Sequence, residues 1–270
     1  MIVALDLGNT RVKWAVHPGG TPVAGRILGS GAVAPEAIES LPGHWSAWGL
    51  PDEVVACSVA GSVAEAAVER MAHSLAVPLR LLRPVAQAGG VSNLYGAPAS
   101  LGADRWAALV GARARVGPGV PALVVDAGTA MTVDALSADG RFLGGLIVPG
   151  HDLMCASLAR GTARLPVASG RYVPFPRSTD DAIVSGALQA MAGAILRTRQ
   201  AMLDAGEGAP ALLLTGGSAP QLAPLLEGLA VQQVPLLVLE GVLVLAAEVR
   251  SDEASGGSPE AAQRVAGGTR

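Results

Sequence analysis

The stretch Leu123–Leu136, LVVDAGTAMTVDAL, decides the reading of this chain. It reads as an apolar strand, a sharp turn at Asp126-Ala127-Gly128-Thr129-Ala130, and a second strand. The chain opens on the same pattern at Val3–Val16, VALDLGNTRVKWAV. With Asp6 set over Asp126, Gly8 falls on Gly128, Asn9 and Thr10 fall on Thr129 and Ala130, and apolar residues meet on either side. The shift from position 6 to position 126 is too long for a solenoid repeat. It implies a duplicated domain, each half beginning with a hairpin that carries a carboxylate at its bend.

A bend rich in Gly, Thr and Asn exposes backbone N–H groups and hydroxyls with little side-chain bulk. Such a concavity binds anions such as phosphate. A carboxylate at the same bend repels a bare phosphate, so it belongs beside a cation. An Asp holding Mg²⁺ next to hydroxyl and N–H donors is a usual way to grip nucleotide phosphates. One such hairpin alone is an ordinary Asp-x-Gly turn. Two in register point to phosphate binding, with the nucleotide expected in the cleft between the halves.

Composition narrows the class. Half of the 270 residues are apolar and 15% are charged, which supports a sizeable core and argues against general disorder. Net charge is −3, Lys13 is the only lysine, and the arginines are scattered singly, so no nucleic-acid footprint is present. Cys57 and Cys155 stand apart with no CxxC spacing, as in a reducing compartment. The N-terminus enters a strand at once and does not read as a signal peptide. Gly, Pro or charge breaks every apolar run before membrane-spanning length. The expectation is a cytoplasmic protein. P-loop, GxGxxG, HExxH and nucleophile-elbow motifs are all missing.

Along the first half, Val12, Trp14 and Val16 alternate with Arg11 and Lys13, placing Lys13 opposite the apolar face. An edge strand is expected near Gly25–Leu28, a short helix at Pro35–Leu41 and strands at Val54–Ser58 and Leu79–Leu82. A helix is expected at Ser62–Leu75, with Ser62 as N-cap and Glu65 closing a capping box. Asp104 and Arg105 then open a helix after Gly102. Asp suits a first turn and Arg does not, so Arg105 calls for an anionic ligand. In the second half, His151–Leu158 and Asp181–Leu203 read as helices, and Leu165–Asp181 as a Pro-rich lid or partner-contacting loop. Ala211–Thr215 reads as a strand entering a Gly216-Gly217 turn that lets a flat ring or ribose approach. A helix at Leu222–Leu229, a strand at Leu236–Leu239 and a closing helix at Glu240–Arg250 complete the order. The alternation argues an α/β layer architecture. The expected division is 1–117, 118–250 and a disordered tail, 251–270.

Taken in order, these motifs resemble the actin/hexokinase/Hsp70 superfamily of phosphotransferases and, within it, the type III pantothenate kinases. The carrying segments are Asp6-Leu7-Gly8-Asn9-Thr10, Tyr95-Gly96-Ala97-Pro98, Leu101–Arg105, Asp126–Asp134 and Gly144–Gly150. Arg160–Pro166, Ser178-Thr179 and Leu214–Gly217 continue the set to about residue 250. The resemblance implies duplicated ribonuclease H-like (actin-like ATPase) α/β domains, with mixed central sheets flanked by helices. It implies ATP-dependent phosphorylation of pantothenate to 4'-phosphopantothenate, the first step of coenzyme A biosynthesis. Asp104 matches the general base. Asp6, Leu7, Gly8, Asn9, Thr10, Arg11, Val12, Lys13 and Thr129 match the ATP-binding positions, and Asp6 is expected to help hold Mg²⁺. Tyr95, Gly102, Ala103, Asp104, Arg105 and Thr179 match positions that contact pantothenate. Asp126 matches a site for a monovalent cation, potassium or ammonium. The resemblance also implies a homodimer in which the segment of Thr179 reaches the neighbouring subunit's substrate. The alternatives are a related small-molecule kinase of the superfamily and a non-enzymatic accessory factor in transcriptional regulation.

Overall fold

The apolar runs Ile2–Leu5 and Leu123–Val125 are buried on both faces, which calls for cover on both sides of each sheet. The structure is a computed structural model that describes residues 1–19, 26–161 and 169–254. The chain divides into two units, residues 1–117 with 236–270, and residues 118–235.

The first unit is built on β1 (Ile2–Leu7), β2 (Val12–His17), β3 (Gly29–Val33), β4 (Glu53–Ser58) and β5 (Leu79–Leu82). Their order in the sheet is β3-β2-β1-β4-β5. The β1–β2–β3 side is antiparallel, and β1–β4–β5 is parallel. Helix α1 (Leu41–Trp45) comes after β3 and α2 (Gly61–Ser74) after β4, and a short hairpin, β6 (Gln87–Ala88) and β7 (Val91–Asn93), precedes α3 (Ala103–Val116). Val3, Leu5 and Leu7 share a core with Val12, Trp14, Trp45, Val54, Ala56, Val68 and Met71. Each large apolar side chain buried there contributes about 1.5–3 kcal/mol. Strand alternation then sends Asp6, Lys13 and Cys57 to the opposite face.

The second unit repeats the arrangement. Strands β8 (Ala122–Ala127), β9 (Ala130–Leu136), β10 (Arg141–Pro149), β11 (Ala211–Thr215) and β12 (Val231–Gln233) lie in the order β12-β11-β8-β9-β10. Again β8–β9–β10 is antiparallel and β8–β11–β12 parallel. Helices α4 (His151–Gly161), α5 (Thr179–Asp204) and α6 (Ala219–Leu222) accompany it. Leu188, Met191 and Ile195 of α5 pack on Leu123, Val125, Met131 and Val133. The chain then returns to the first unit as α7 (Leu237–Ala254), which packs on α3, β1 and β4. Gly241 and Gly111 make the α3–α7 crossing close: a Cβ at 241 would lie 1.7 Å from the Ala107 carbonyl oxygen.

Several expectations are corrected here. Both Asp6 and Asp126 lie inside a strand, one residue before its end, and not in the bend. The reason is that cross-strand pairing continues through Leu7–Val12 and Ala127–Met131. Leu236–Leu239 is helix from Leu237 on, because a fully buried apolar run has no period that separates helix from strand. The closing helix joins the first unit, and its last residues, 251–254, are helical where a disordered tail was expected. Ser62 does not cap α2, which starts at Gly61 without a side-chain cap; Glu65 instead takes both guanidinium nitrogens of Arg83, at 3.0 and 2.7 Å. The edge strand expected from Gly25 lies partly outside the described residues, and β3 begins at Gly29. Residues 162–168, which hold part of the Arg160–Pro166 motif and of the Leu165–Asp181 loop, and 255–270 of the tail also lie outside them.

Candidate active site

The Asp6 carboxylate sits on a rung of three strands. Lys13 faces it on antiparallel β2 and Cys57 on parallel β4. Lys13 Nζ is 3.5 Å from Asp6 Oδ2, and the Cys57 thiol donates to Asp6 Oδ1 at 3.8 Å. Asp6 is 5% exposed and Cys57 1%. The adjoining bend is tight: Gly8 N–H donates to the Arg11 carbonyl at 3.1 Å, while Asn9, Thr10 and Arg11 are exposed. Leu7 and Val12 are core residues that frame the bend. Lys13 is therefore the charge partner of a buried carboxylate and not a solvated strand lysine.

Helix α3 places the second carboxylate. Its N-cap position is Gly102, with no side-chain cap. Asp104 Oδ1 instead accepts the Arg105 N–H at 2.7 Å, and a Cβ at residue 102 would lie 2.6 Å from that oxygen. Gly102 thus leaves room for the carboxylate to fold over the helix start, and Ala103 beside it is buried. Arg105 is 6% exposed; its Nη1 donates to Tyr95 Oη at 3.0 Å, and its guanidinium lies 5.9 Å from the Tyr95 ring centre. Asn93 braces this loop, accepting the Tyr95 N–H and donating to the Pro98 carbonyl, both at 3.1 Å. Burial above all, then the charges of Asp6 and Asp104, push the Cys57 thiol well above its ordinary pKa. Neither Cys57, which reads only as an isolated cysteine, nor Asn93 stands out by sequence as part of this site. Cys57 becomes visible only once β4 is known to pair with β1 in register.

In the second unit Asp126 faces Thr132 on β9 and Thr215 on β11. Glycine backbone closes around it. Gly216 has φ +93°, and a Cβ there would lie 2.5 Å from Asp126 Oδ1 and 2.4 Å from the Ala127 carbonyl carbon. Gly150 N–H donates to the Thr129 carbonyl at 2.9 Å, and a Cβ on Gly150 would lie 2.1 Å from the Gly128 carbonyl oxygen. The close approach at Gly216 is thus to the protein's own hairpin, while Gly217 faces open space. Thr179, exposed, opens α5 after Ser178, whose hydroxyl accepts the Asp181 N–H at 3.2 Å.

Among the described residues, no three His, Cys, Asp or Glu side chains converge as a metal cluster. Mg²⁺ brought by a nucleotide takes one or two carboxylates and completes its shell with phosphate and water. Buried Asp6, one carboxylate beside an exposed Thr-bearing bend, fits that role.

The model of the type III pantothenate kinase family matches residues 2–201. The chain belongs to the type III pantothenate kinase family. A type III pantothenate kinase of Dechloromonas aromatica is 47% identical over 223 residues, covering 83% of this chain and 90% of its own. One from Acidovorax ebreus is 43% identical over 249 residues, covering 91% and 96%. Among solved structures, a candidate 2-dehydro-3-deoxygalactonokinase from Sinorhizobium meliloti superposes with a TM-score of 0.55 at 19% identity, covering 93% of this chain and 99% of that one. At that identity the likeness speaks for the fold alone, two units each built on a mixed sheet with helices against it. The family match spans Asp6, Tyr95, Asp104, Arg105, Asp126, Thr129 and Thr179, and stops before the Thr215-Gly216-Gly217 turn. No described helix is long and apolar enough to cross a membrane.

Proposed function

We propose that the chain transfers the terminal phosphoryl group of ATP to the primary hydroxyl of pantothenate, giving 4'-phosphopantothenate for coenzyme A synthesis. The observation that carries this reading is the family match over residues 2–201, which takes in Asp6 and Asp104, together with the buried Arg105 that donates to Tyr95 at the start of α3. Phosphoryl transfer needs one group on the phosphate side and another to take the alcohol proton. Asp104 takes that proton as the new O–P bond forms. Arg105, held by Tyr95, pairs with the pantothenate carboxylate. The Gly102–Ala103 backbone completes the pantothenate contacts, and the segment of Thr179 reaches the neighbouring subunit's substrate. The bend from Asp6 to Lys13 contacts ATP phosphates.

When bound, Mg²⁺ neutralises phosphate charge, with Asp6 as its protein ligand. Asp126, walled by glycine backbone, takes a monovalent cation, potassium or ammonium. The chain works as a homodimer, a reading supported by exposed Leu146 and Ile147 on β10. Two free cysteines suit the cytoplasm. Asp6, Asp104 and Asp126 all being present argues against a purely non-enzymatic accessory role in transcription.

The test is ADP release from purified protein with Mg·ATP and, in turn, pantothenate, sugars and small carboxylates, in potassium and in sodium. Release that requires pantothenate and is faster in potassium is expected. Release with a sugar and not with pantothenate would favour the related-kinase reading.

A further inference from the structure

Lys13 and Cys57, on either side of Asp6, differ in character. Lys13 holds Oδ2 from a side chain that is 32% exposed, while Cys57 holds Oδ1 from a position that is 1% exposed. The lysine lies on a flexible stem beside the exposed Asn9–Arg11 bend, and an arriving anion can draw its ammonium away. The thiol cannot leave: it is fixed by the pairing of β1 with β4, one residue before the end of each strand. We propose that Cys57 is a positioning residue for phosphoryl transfer. Its S–H donates to Asp6 Oδ1 and keeps the carboxylate oriented when Lys13 turns to phosphate. This rests on the assignment of Asp6 to the phosphate side.

The hydrogen bond is long and its donor weak, so its removal should have a modest and specific effect. Cys57→Ala removes the donor on Asp6 Oδ1. Cys57→Ser keeps a donor at the same place and restores the hold. Binding of a non-hydrolysable ATP analogue, titrated by calorimetry at fixed Mg²⁺, reads the orientation of Asp6 without catalysis. Turnover and the KM for pantothenate are measured beside it, with melting temperature as the control for folding.

Cys57→Ala is expected to weaken analogue binding by about three- to tenfold and to lower kcat by a similar factor. The KM for pantothenate should stay put, and Cys57→Ser should lie within about twofold of the parent in both readouts. Parental binding and kcat in Cys57→Ala would overturn the proposal. So would a Cys57→Ser variant as impaired as Cys57→Ala at an unchanged melting temperature, since that shows a packing role. A parent protein that binds the analogue but phosphorylates no pantothenate defeats the assigned reaction instead, and the binding comparison still judges Cys57.

Discussion

The hairpins at Asp6 and at Asp126 share a backbone plan and differ in chemistry. Each aspartate stands one residue before the end of its strand, between an antiparallel and a parallel neighbour. Around Asp6 the neighbouring strands supply Lys13 and Cys57, an ammonium and a thiol. Around Asp126 they supply two threonines, and glycines let the backbone close in. The first arrangement suits a carboxylate that trades a lysine for a phosphate-bound divalent ion. The second suits a weakly charged ion held by oxygen atoms. The two units thus share a strand order, while adjacent strands bring different residues into register beside each aspartate.

If catalysis lies with the first unit, its loss should dominate every other effect. Asp104→Asn should lower turnover by about 10²–10⁴ while leaving nucleotide binding intact by calorimetry. Turnover near the parent value would remove the base from this unit. Arg105→Ala should raise the KM for pantothenate by about 10- to 100-fold, with little change for ATP, since a charge-assisted bond is lost. An unmoved pantothenate KM would show that Arg105 serves only Tyr95.

The hairpins themselves can be set against each other. Asp126→Asn should cost activity about tenfold and abolish the advantage of potassium over sodium. Asp6→Asn should leave that advantage in place and raise the Mg²⁺ requirement. Exchanged outcomes would break the comparison. Outside the hairpins, the first unit differs from the second in being closed by α7. Gly241→Ala forces a methyl against the Ala107 carbonyl and should destabilise the protein by about 1–3 kcal/mol in denaturant titrations. No loss would mean that α3 and α7 shift apart freely.

The smallest effect is expected from His17, at the end of β2. Its Nδ1 accepts the Gly19 N–H at 3.2 Å. Burial first, then the charges of Arg26, Arg250 and the N-terminus, hold its pKa below 6.5. The fold therefore favours the neutral ring. That contribution is whole above pH 6.5 and is lost as pH falls through 6.5 toward the depressed folded value. His17→Gln should flatten the fall in melting temperature between about pH 7 and 5; an unchanged slope would assign it elsewhere.

Much of this was legible in the sequence. The repeated apolar strand with its Asp-x-Gly turn announced two like sheets, because period-2 burial and turn chemistry are local properties. Arg105 stood out because a cation in a first helical turn lacks a local reason. What escaped reading depended on partners distant in sequence. Cys57 gains meaning only beside Asp6, and the turn at Gly216 only against Ala127. The strand assigned at Leu236–Leu239 failed because α7 is apolar on most of its circumference near its start. Its return to the first unit follows from the small residues at the α3 crossing, which no periodicity marks.

The most direct test follows the phosphorus itself. Phosphorus NMR of the purified protein with Mg·ATP, potassium and pantothenate should show one phosphomonoester formed for each ADP, and almost none with Asp104→Asn. Formation of ADP with inorganic phosphate alone, at equal rates in both proteins, would contradict transfer to an alcohol that Asp104 deprotonates.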